Sequence, residues 1–364
     1  MNRKSYKIQE KYLTTKNEAL NIMQSVMIVG SWRWSIYEEA LANGFAALGA
    51  ETFKFSYDLD DISFNLAGPF QHWRKIKIVN NNLLSACVAN KPDMLFFYRC
   101  AFILPSTIKQ LKRILPQTVI CFYHNDNPYV YLKNRIKYYF FLHSLELANI
   151  TYVYRPSNLK DCLKFKAANP KLLMPHYRTD YHWWNGKYDL TQKTYDVIFA
   201  GHFENDGRAE YVKSIFDAGI DLHIYDKGWD AIFRRYNWPQ ANCHERLNKD
   251  EYRETINQAK IAIVFLSCKN QDVYTRRCFE IPACGTAMLL PDNLFLRNIF
   301  VKDISAAYYS DTQSMVGSIR TLLDSPEKLE SIMRNAYHIV QDHNEVARAK
   351  QIIYDYNQLI KQGT

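Results

Sequence analysis

The segment Asp272–Asp292, DVYTRRCFEIPACGTAMLLPD, sets acidic and basic side chains beside an apolar run. Asp272 opens the segment, and Arg277 and Glu280 follow within one predicted helix. Charged groups that gather at the end of a strand are typical of a site for an anionic ligand in an open α/β sheet. The alternative is that Glu280 only pairs with Arg276 or Arg277 on a surface helix.

The same segment predicts a short helix followed by a strand. The helix, residues 277–284, stops at Gly285, which suits a position with positive φ just past a helix C-terminus. The apolar run Ala287–Pro291 predicts a buried strand. Gly30 and Gly201 also end predicted strands, and all three glycines would let backbone approach a ligand closely, unless each is only a tight-turn glycine.

Two consecutive α/β series position these residues. Strands alternate with helices from Ser25 onward, with helices predicted over 37–48, 74–89, 105–115, 130–148 and 156–168, and the series starts again at Tyr195. The fold class is therefore α/β, with two Rossmann-like doubly wound domains facing each other across a cleft, which is the default ligand site. The expected parts are an arm (1–24), an N-terminal acceptor domain (25–180), a linker (181–193), a C-terminal donor domain (194–342) and a C-terminal helix (343–364) packing back toward the N-terminal domain.

Bulk properties narrow the class of protein. The 364 residues suffice for two ordinary domains. No window approaches the ~18 consecutive apolar residues of a membrane span, and the charged first twenty residues lack the apolar core of a signal peptide. Eight cysteines without a CxxC pair favour reduced thiols in a cytoplasmic protein over disulfides or a zinc site.

Charge is distributed unevenly along the chain. Residues 1–180 hold 24 Lys+Arg and 13 Asp+Glu, a net of +11, whereas residues 181–364 hold 22 and 24, a net of −2. Two clusters, 72–77 and 133–141, mix basic residues with aromatic ones. Such clusters suit an anionic membrane surface, a phosphorylated acceptor or nucleic acid. The alternative is a solvated basic face.

Residues Arg277–Gly285, with the pattern Arg-x-Phe-Glu-x-Pro-Ala-Cys-Gly, resemble the CgeB-like (spore-coat-protein-like) glycosyltransferases, which have the two-domain GT-B fold. Further pieces follow in the family's order: Asp196–Gly201 with Arg208 after it, Gly219–Trp229, and His343–Arg348. The resemblance is specific across 195–350 and diffuse in the N-terminal half. The family that the chain resembles is related to the retaining glycosyltransferases of the family-1/4 type.

The resemblance implies roles for the site residues. Glu280 matches the second acid of the Glu-x7-Glu pair, which binds ribose hydroxyls, and Asp272 stands where the first acid contacts the donor sugar. Arg208 and Arg277 would stabilise the charge on the leaving diphosphate, because a guanidinium donates two parallel hydrogen bonds to phosphate. GT-B enzymes use such groups instead of a metal. Trp229 would lie near the base, although a packing tryptophan is the equal alternative.

In the N-terminal half, a polar turn follows the predicted strand 118–123. His124 would bind the donor sugar, with a turn-capping histidine as the alternative. Asp126 echoes the first of the family's paired aspartates, and Asn127 replaces the second. Asp272, His124 and Asp126 are the catalytic residues that the resemblance implies. The family's later Gly-x-Glu is absent, and the acidic stretch Asp58–Asp61 is interpreted as a solvated loop, so no metal and no cofactor beyond the donor substrate is expected.

The sequence therefore predicts a hexosyltransferase that moves sugar from a nucleotide diphosphate sugar to a glycan, lipid-linked or protein acceptor. Metal-independent, retaining chemistry is implied by the resemblance. The expected setting is polysaccharide or cell envelope glycan synthesis, in the cytoplasm or peripherally at the inner face of the cell membrane, with nucleic acid an unlikely partner. The alternatives are a non-catalytic nucleotide-sugar-binding protein and a GT-B-fold nucleotide-sugar epimerase.

Overall fold

The computed structural model describes residues 23–57, 72–181, 184, 186 and 189–363. The chain divides into two compact units, which we call unit 1 (Met1–Met174 with Glu345–Thr364) and unit 2 (Pro175–Asn344). Each unit holds one parallel six-stranded sheet with helices packed on it. The α/β class with two doubly wound units is confirmed. The acidic stretch Asp58–Asp61 and nearly all of the predicted N-terminal arm lie outside the described residues.

The sheet of unit 1 has the strand order β2-β1-β3-β4-β5-β6. The central strands β3 and β4 are buried along their whole length because runs such as MLFFY are apolar on both faces, as strands covered by helices must be. The edge strand β2 has no fully buried residue. The strands are Ser25–Gly30 (β1), Glu51–Ser56 (β2), Met94–Tyr98 (β3), Val119–His124 (β4), Ile150–Val153 (β5) and Pro170–Leu172 (β6).

The helices of unit 1 agree with the predicted ones as far as residue 114 and then become shorter. The helix predicted over 130–148 is two short helices and a 3-10 turn. The helix predicted over 156–168 is wrong, since only one helical turn forms before a 3-10 segment that ends at Lys166 with φ 54°. Leu159, Cys162 and Phe165 recur every three residues and turn toward the core together, which is the 3-10 period. The helices are Glu38–Ala47, Trp73–Asn90, Pro105–Ile114, Leu132–Lys137, Tyr139–Ser144 and Asn158–Asp161, and the 3-10 segments are Leu145–Leu147 and Cys162–Phe165.

The sheet of unit 2 has the strand order β12-β11-β10-β7-β8-β9, also parallel throughout. The predicted buried strand Ala287–Pro291 is confirmed as β11, and its first four residues are buried. The two-residue edge strand β9 was not predicted, because it is too short to show an alternation. The strands are Tyr195–Ala200 (β7), Leu222–Tyr225 (β8), Cys243–His244 (β9), Ala259–Ile263 (β10), Ala287–Pro291 (β11) and Ala307–Tyr309 (β12).

The helices of unit 2 include one that the sequence pattern did not reveal, Asp230–Tyr236, which ends at Asn237 in the left-handed conformation. The predicted helix after Arg276 is confirmed as Arg277–Ala283, and it is buried rather than on the surface. The remaining helices are Arg208–Asp217, Lys249–Asn257, Leu294–Arg297, Thr312–Leu323 and Pro326–Val340, with 3-10 segments at Leu190–Gln192, Gln240–Asn242 and Gln341–His343.

The C-terminal helix Glu345–Gly363 returns to unit 1, as predicted. It packs on Glu38–Ala47 closely enough that a Cβ on Gly44 would lie 2.4 Å from the Glu345 carbonyl oxygen. The buried Asp355 carboxylate anchors it further, accepting hydrogen bonds from Lys171 Nζ (2.8 Å) and the Tyr152 hydroxyl (3.1 Å). Across the described part of the chain, every helix is too short or too polar to span a bilayer.

Candidate functional site

The strand orders locate one crevice in each unit where doubly wound sheets bind ligands. In unit 2, β7 lies between β8 and β10, so the loops that leave β7 and β10 diverge at a topological switch point. In unit 1, β1 lies between β2 and β3 and creates the same situation. The predicted residues at these strand ends are Gly201, Arg208, Asp272 and Arg277 in unit 2 and Gly30, the last residue of β1, in unit 1. His124 ends β4, two strands from β1, and Asp126 follows it.

Arg277 and Gly201 lie against each other at the switch point of unit 2. A Cβ built on Gly201 would lie 3.1 Å from Arg277 Nη2 and 2.7 Å from the Phe199 ring. A side chain at position 201 would therefore collide with the Phe199 ring and crowd the Arg277 guanidinium. Arg277 Nε is buried and has no hydrogen-bond partner among the described residues. This cation thus keeps a donor available at the point where an anion is expected.

Arg208, by contrast, is already held by the protein. Its Nε and Nη2 donate to the two carboxylate oxygens of Asp206 at 2.8 and 2.6 Å, and its Nη1 donates to the His202 carbonyl at 2.8 Å. Glu204 lies 3.8 Å from Nη2, and the Arg208 side chain is only 5% exposed. Asp206 also accepts from the Arg208 backbone N–H. Arg208 would have to leave this carboxylate before it could hold a phosphate.

Glu280 is buried inside the helix that carries Arg277. Its carboxylate forms an ion pair with Arg276, one turn back, and accepts a hydrogen bond from the Tyr252 hydroxyl at 3.2 Å. The alternative pairing with Arg276 is therefore formed, but within a buried helix. Burial, together with the Glu280 charge, raises the pKa of Tyr252 well above its usual value. The structure places the residue predicted for ribose binding in an internal network, 2% exposed.

Trp229 is a core residue in this structure. Its side chain is fully buried, its ring lies edge-on to Phe199 and Phe203, and its indole N–H donates to the Gly201 carbonyl at 2.8 Å. A fully buried ring leaves no surface for a nucleotide base. The predicted alternative, a packing tryptophan, describes what is observed, and Trp229 supports the Gly201 loop from behind.

Gly285 has the predicted positive φ, 70°, just past the helix end. A Cβ there would lie 2.5 Å from the Trp184 ring, so the close neighbour of this glycine is an aromatic side chain. The Gly285 carbonyl accepts from Lys193 Nζ at 2.8 Å. Burial lowers the pKa of Lys193 to about 8. These contacts explain Gly285 as a helix C-cap that is bound by Lys193.

Asp272 lies on the loop between β10 and the helix Arg277–Ala283, partly buried. Its backbone N–H donates to the Ser267 carbonyl at 3.0 Å. The Ser267 hydroxyl donates to Glu204 at 3.0 Å and so connects this loop to the loop after β7. The two loops that border the crevice of unit 2 are thus joined by a side-chain hydrogen bond, which fixes the position of Asp272 relative to the Gly201 loop.

In unit 1, the backbone after β1 wraps around a buried carboxyl group. The Ser31 N–H donates to Glu38 Oε1 at 3.2 Å, and a Cβ on Gly30 would lie 2.4 Å from the same oxygen. Glu38 Oε2 is buried with no hydrogen-bond partner among the described residues. Burial raises the pKa of Glu38 above its ordinary value, although backbone N–H groups and Arg99 act in the opposite direction. Gly30 is therefore present because Glu38 occupies the space of a side chain.

Arg99 and Asp126 form a second polar group at the same edge. Arg99 Nη2 lies 3.2 Å from Asp126 Oδ2, which also accepts from the Tyr138 hydroxyl at 2.9 Å. Burial raises the pKa of Asp126, but Arg99, His124 and the Tyr138 hydrogen bond outweigh it and leave the pKa at about 2. Arg99 itself has φ 55°, in the left-handed region that side chains rarely adopt. Asp126 is therefore an ionised carboxylate with its partners in place.

His124 ends β4 and is a neutral imidazole with one unused nitrogen. Burial lowers its pKa to about 3, despite the nearby Asp126. Nδ1 lies 3.1 Å from the Asp126 N–H, which can only donate, so Nδ1 is the acceptor and Nε2 carries the proton. Nε2 is buried without a partner among the described residues, while the ring lies against Tyr138 and Phe141. His124 thus combines the turn-capping role with a free donor for a ligand oxygen.

Sequence reasoning did not find Glu38, Arg99, Asp206 or Glu204. Arg99 follows β3 directly, so the rule that ligands meet strand carboxyl ends would have selected it. Glu38 opens a helix whose other positions toward the core are apolar, and a buried acid in such a pattern is a recognisable signal. Asp206 and Glu204 carry no such signal, because acids before a helix N-terminus are ordinary.

Comparisons with known proteins support the fold. Residues 205–354 match the family described as "Glycosyl transferase-like". No curated protein matches the chain in sequence. Sucrose-phosphate synthase from Thermosynechococcus elongatus is similar in structure, with a TM-score of 0.67 at 14% identity, and the match covers 93% of this chain and 100% of that chain.

Two solved structures with bound sugar nucleotides are also similar. Anabaena Alr3699/HepE in complex with UDP-glucose has a TM-score of 0.61 at 9% identity, covering 93% of this chain and 100% of that one. "Trehalose-6-phosphate from E. coli bound with UDP-2-fluoro glucose" has a TM-score of 0.63 at 11% identity, covering 92% and 99%. The chain thus shares the GT-B fold of these solved structures, and residues 205–354 match a glycosyl transferase-like family.

Proposed function

We propose that this chain is a hexosyltransferase that takes sugar from a nucleotide diphosphate sugar and adds it to a glycan, lipid-linked or protein acceptor. The observation that carries the proposal is the Arg277 guanidinium, which lies on Gly201 at the switch point of unit 2 with Nε unused. The match of residues 205–354 to a glycosyl transferase-like family supports it. We further propose the CgeB-like subfamily and a cytoplasmic role in cell envelope glycan synthesis, both of which rest on the sequence resemblance.

Arg277 is assigned to the diphosphate leaving group. Cleavage of the sugar–phosphate bond places negative charge on the β-phosphate, and a fixed cation in a partly buried site stabilises that charge more than it stabilises the intact donor. A planar guanidinium does this with two parallel hydrogen bonds. This role supports metal-independent transfer, and a retaining outcome is proposed from the resemblance alone.

Three further residues receive roles in the proposal. His124 donates Nε2–H to a sugar hydroxyl oxygen, since that proton has no other acceptor among the described residues. Asp272, on the loop joined to Glu204 through Ser267, accepts a hydroxyl of the donor sugar. Asp126 holds the His124 tautomer through its backbone N–H and keeps Arg99 in place.

The proposal is tested by thermal shift with UDP, GDP, CMP and dTDP sugars. Donor binding raises the melting temperature by mass action, by an amount set by the ratio of ligand concentration to Kd. We expect one nucleotide class to stabilise the protein and Arg277→Ala to lose that shift while melting normally without ligand. Arg297→Ala, which removes an exposed arginine of unit 2, is the matched control and should keep the shift.

A product assay with the stabilising donor then tests transfer itself. Arg277→Ala should lower kcat/KM by about a hundredfold or more, the usual loss on removing one group that stabilises developing charge. Binding without turnover in any acceptor mixture would favour a nucleotide-sugar-binding protein, and conversion of the free donor without acceptor would favour an epimerase. A lack of shift with all four nucleotide classes would contradict the proposal.

A further inference from the structure

One layer of helices on unit 1 is basic without a single acidic residue. The segments 73–90, 105–114 and 131–144 pack on the same side of the sheet, where their apolar residues join one core cluster. Each segment carries three Lys or Arg, nine in all, and none carries Asp or Glu. We call this surface the basic face. Its charged residues are Arg74, Lys75, Lys77, Lys109, Lys112, Arg113, Lys133, Arg135 and Lys137.

The basic face also exposes most of the molecule's large apolar side chains. Of the thirteen that are exposed among the described residues, eight lie on these three segments. Leu132 is 73% exposed, Ile78 57% and Tyr139 53%. The eight are Trp73, Ile78, Val88, Ile114, Tyr131, Leu132, Ile136 and Tyr139.

Two exposed residues near the start of the third segment share a side. Leu132 and Ile136 are four residues apart within the helix Leu132–Lys137, the spacing at which helical side chains are neighbours, and the exposed Tyr139 opens the next helix. Lys133 and Lys137 flank them. On the first segment, Lys77 Nζ lies 5.6 Å from the centre of the Trp73 ring, so cation and aromatic surface are adjacent there too. An apolar stripe bordered by cations is the pattern of a helix that lies in a membrane interface.

We propose that the basic face docks on the surface of an anionic lipid bilayer. Cations near such a surface are attracted by lipid phosphates, and exposed Leu and Ile side chains gain by entering the acyl boundary. A nucleic acid would neutralise the cations but would leave Leu132 and Ile78 in water, since the bases stack on aromatic rings rather than on aliphatic chains. The combination of charge and aliphatic exposure therefore selects lipid.

The proposal does not depend on the enzymatic assignment. Helices Pro105–Ile114 and Leu132–Lys137 begin just after β3 and β4, so their first turns lie at the sheet edge that holds Arg99 and His124. Docking would bring that edge close to the bilayer. If the proposed function holds, a lipid-linked acceptor would be presented there.

The test is co-sedimentation of the purified full-length chain with vesicles. We expect binding to phosphatidylcholine vesicles that contain about one third phosphatidylglycerol, and no binding to pure phosphatidylcholine, at about 0.1 M salt. Lys77→Glu/Lys133→Glu should weaken binding about tenfold or more, because two attractions become repulsions. Leu132→Ser should weaken it about threefold to tenfold by removing apolar contact.

Matched controls lie on unit 2. Leu294→Ser removes a leucine that is 80% exposed, and Lys227→Glu/Lys302→Glu makes the same charge change at two exposed lysines. Neither should alter vesicle binding. The proposal is overturned if the wild-type chain does not bind anionic vesicles, or if the control variants weaken binding as much as the basic-face variants do. It is also overturned if single-stranded RNA displaces the chain from vesicles and the basic-face variants lose binding to that RNA.

Discussion

The two switch points have the same topology but hold different kinds of unused polar atom. In unit 2 the cation Arg277 keeps a free donor, while Arg208, Glu280 and Trp229 have protein partners for the polar groups predicted to bind donor. At the carboxyl edge of unit 1 the unused atoms belong to uncharged or protonation-prone groups, and they include His124 Nε2, Asn125 Oδ1 and Glu38 Oε2. Leaving a buried polar atom without a partner is costly, so such atoms mark where ligand atoms are expected.

The contrast indicates a division of ligand chemistry between the units. A free guanidinium donor suits phosphate, whereas a neutral imidazole and a buried carboxyl suit sugar hydroxyls, which both donate and accept. The two arginines of unit 2 show the contrast most clearly, since a carboxylate holds the buried Arg208, whereas Arg277 Nε has no partner among the described residues.

The largest expected effect comes from removing each of those arginines in turn. Arg208→Ala should lower the free energy of unfolding by about 3–5 kcal/mol, because it removes a buried arginine and leaves the partly buried Asp206 carboxylate without its cation. Arg277→Ala should change stability little and affect only ligand binding. Equilibrium denaturation in urea measures both variants.

The double variant Asp206→Ala/Arg208→Ala is the control for that comparison. Removing the carboxylate together with the arginine should recover part of the lost stability, since no unpaired charge then remains buried. If Arg277→Ala proved the more destabilising of the two single variants, the distinction between a structural and a ligand-binding arginine would be wrong.

A smaller effect separates the two nitrogens of His124. Asn places its amide oxygen near the position of Nδ1, so His124→Asn should keep the hydrogen bond from the Asp126 N–H and the stability of unit 1. Gln places its amide nitrogen near Nε2, so His124→Gln should keep the ligand contact but not the turn. We expect His124→Asn to lose about tenfold in kcat/KM, the worth of one neutral hydrogen bond, and His124→Gln to lose less.

Thermal unfolding of the two His124 variants completes this test. His124→Gln should melt earlier than His124→Asn, because the Asp126 N–H loses its acceptor. Activity of the wild type should show no ionisation of His124 between pH 5 and pH 8, since burial holds its pKa near 3. The assignment fails if Asn retains activity and Gln does not.

The sequence was sufficient for the alternation of strands and helices because apolar runs bounded by glycine and proline are strong local signals. It predicted the helix cap at Gly285 and the buried strand at Ala287 correctly. It failed at residues 156–168, where the three-residue period of Leu159, Cys162 and Phe165 produces a 3-10 segment. Short edge strands such as β9 have too few residues to show a period.

The sequence predicted which residues lie at the carboxyl ends of the strands, but not which side chains they pair with. Strand ends identify Gly201, Arg277 and His124 as residues of the carboxyl edge. Whether an arginine at this edge has an unused donor depends on the carboxylates that the fold brings near it. Asp206 accepts hydrogen bonds from Arg208, whereas no described residue accepts one from Arg277 Nε. Spacing within the chain does not contain that information, because side-chain pairing is decided by rotamers and packing in three dimensions.

The smallest effect we predict is a pH dependence that belongs to Glu38. Its pKa is raised in the folded state above the ordinary value of 4.5, so the folded protein prefers the protonated carboxyl. The resulting stability is present at low pH and is lost as pH rises through the folded-state pKa. Glu38→Gln keeps an acceptor for the Ser31 N–H and cannot ionise. It should therefore be more stable than the wild type at pH 8 and lose this advantage below pH 4.5.

The neighbouring exposed Glu39 provides the matched control, because Glu39→Gln makes the same chemical change outside the buried pocket. Urea denaturation of the three proteins from pH 4 to pH 8 should show a difference that grows with pH only for Glu38→Gln. A uniform loss of stability in Glu38→Gln at every pH would mean that the carboxylate is ionised and held by Arg99. In that case the edge of unit 1 would carry a paired charge, as Arg208 does in unit 2, and the contrast between the two edges would rest on His124 alone.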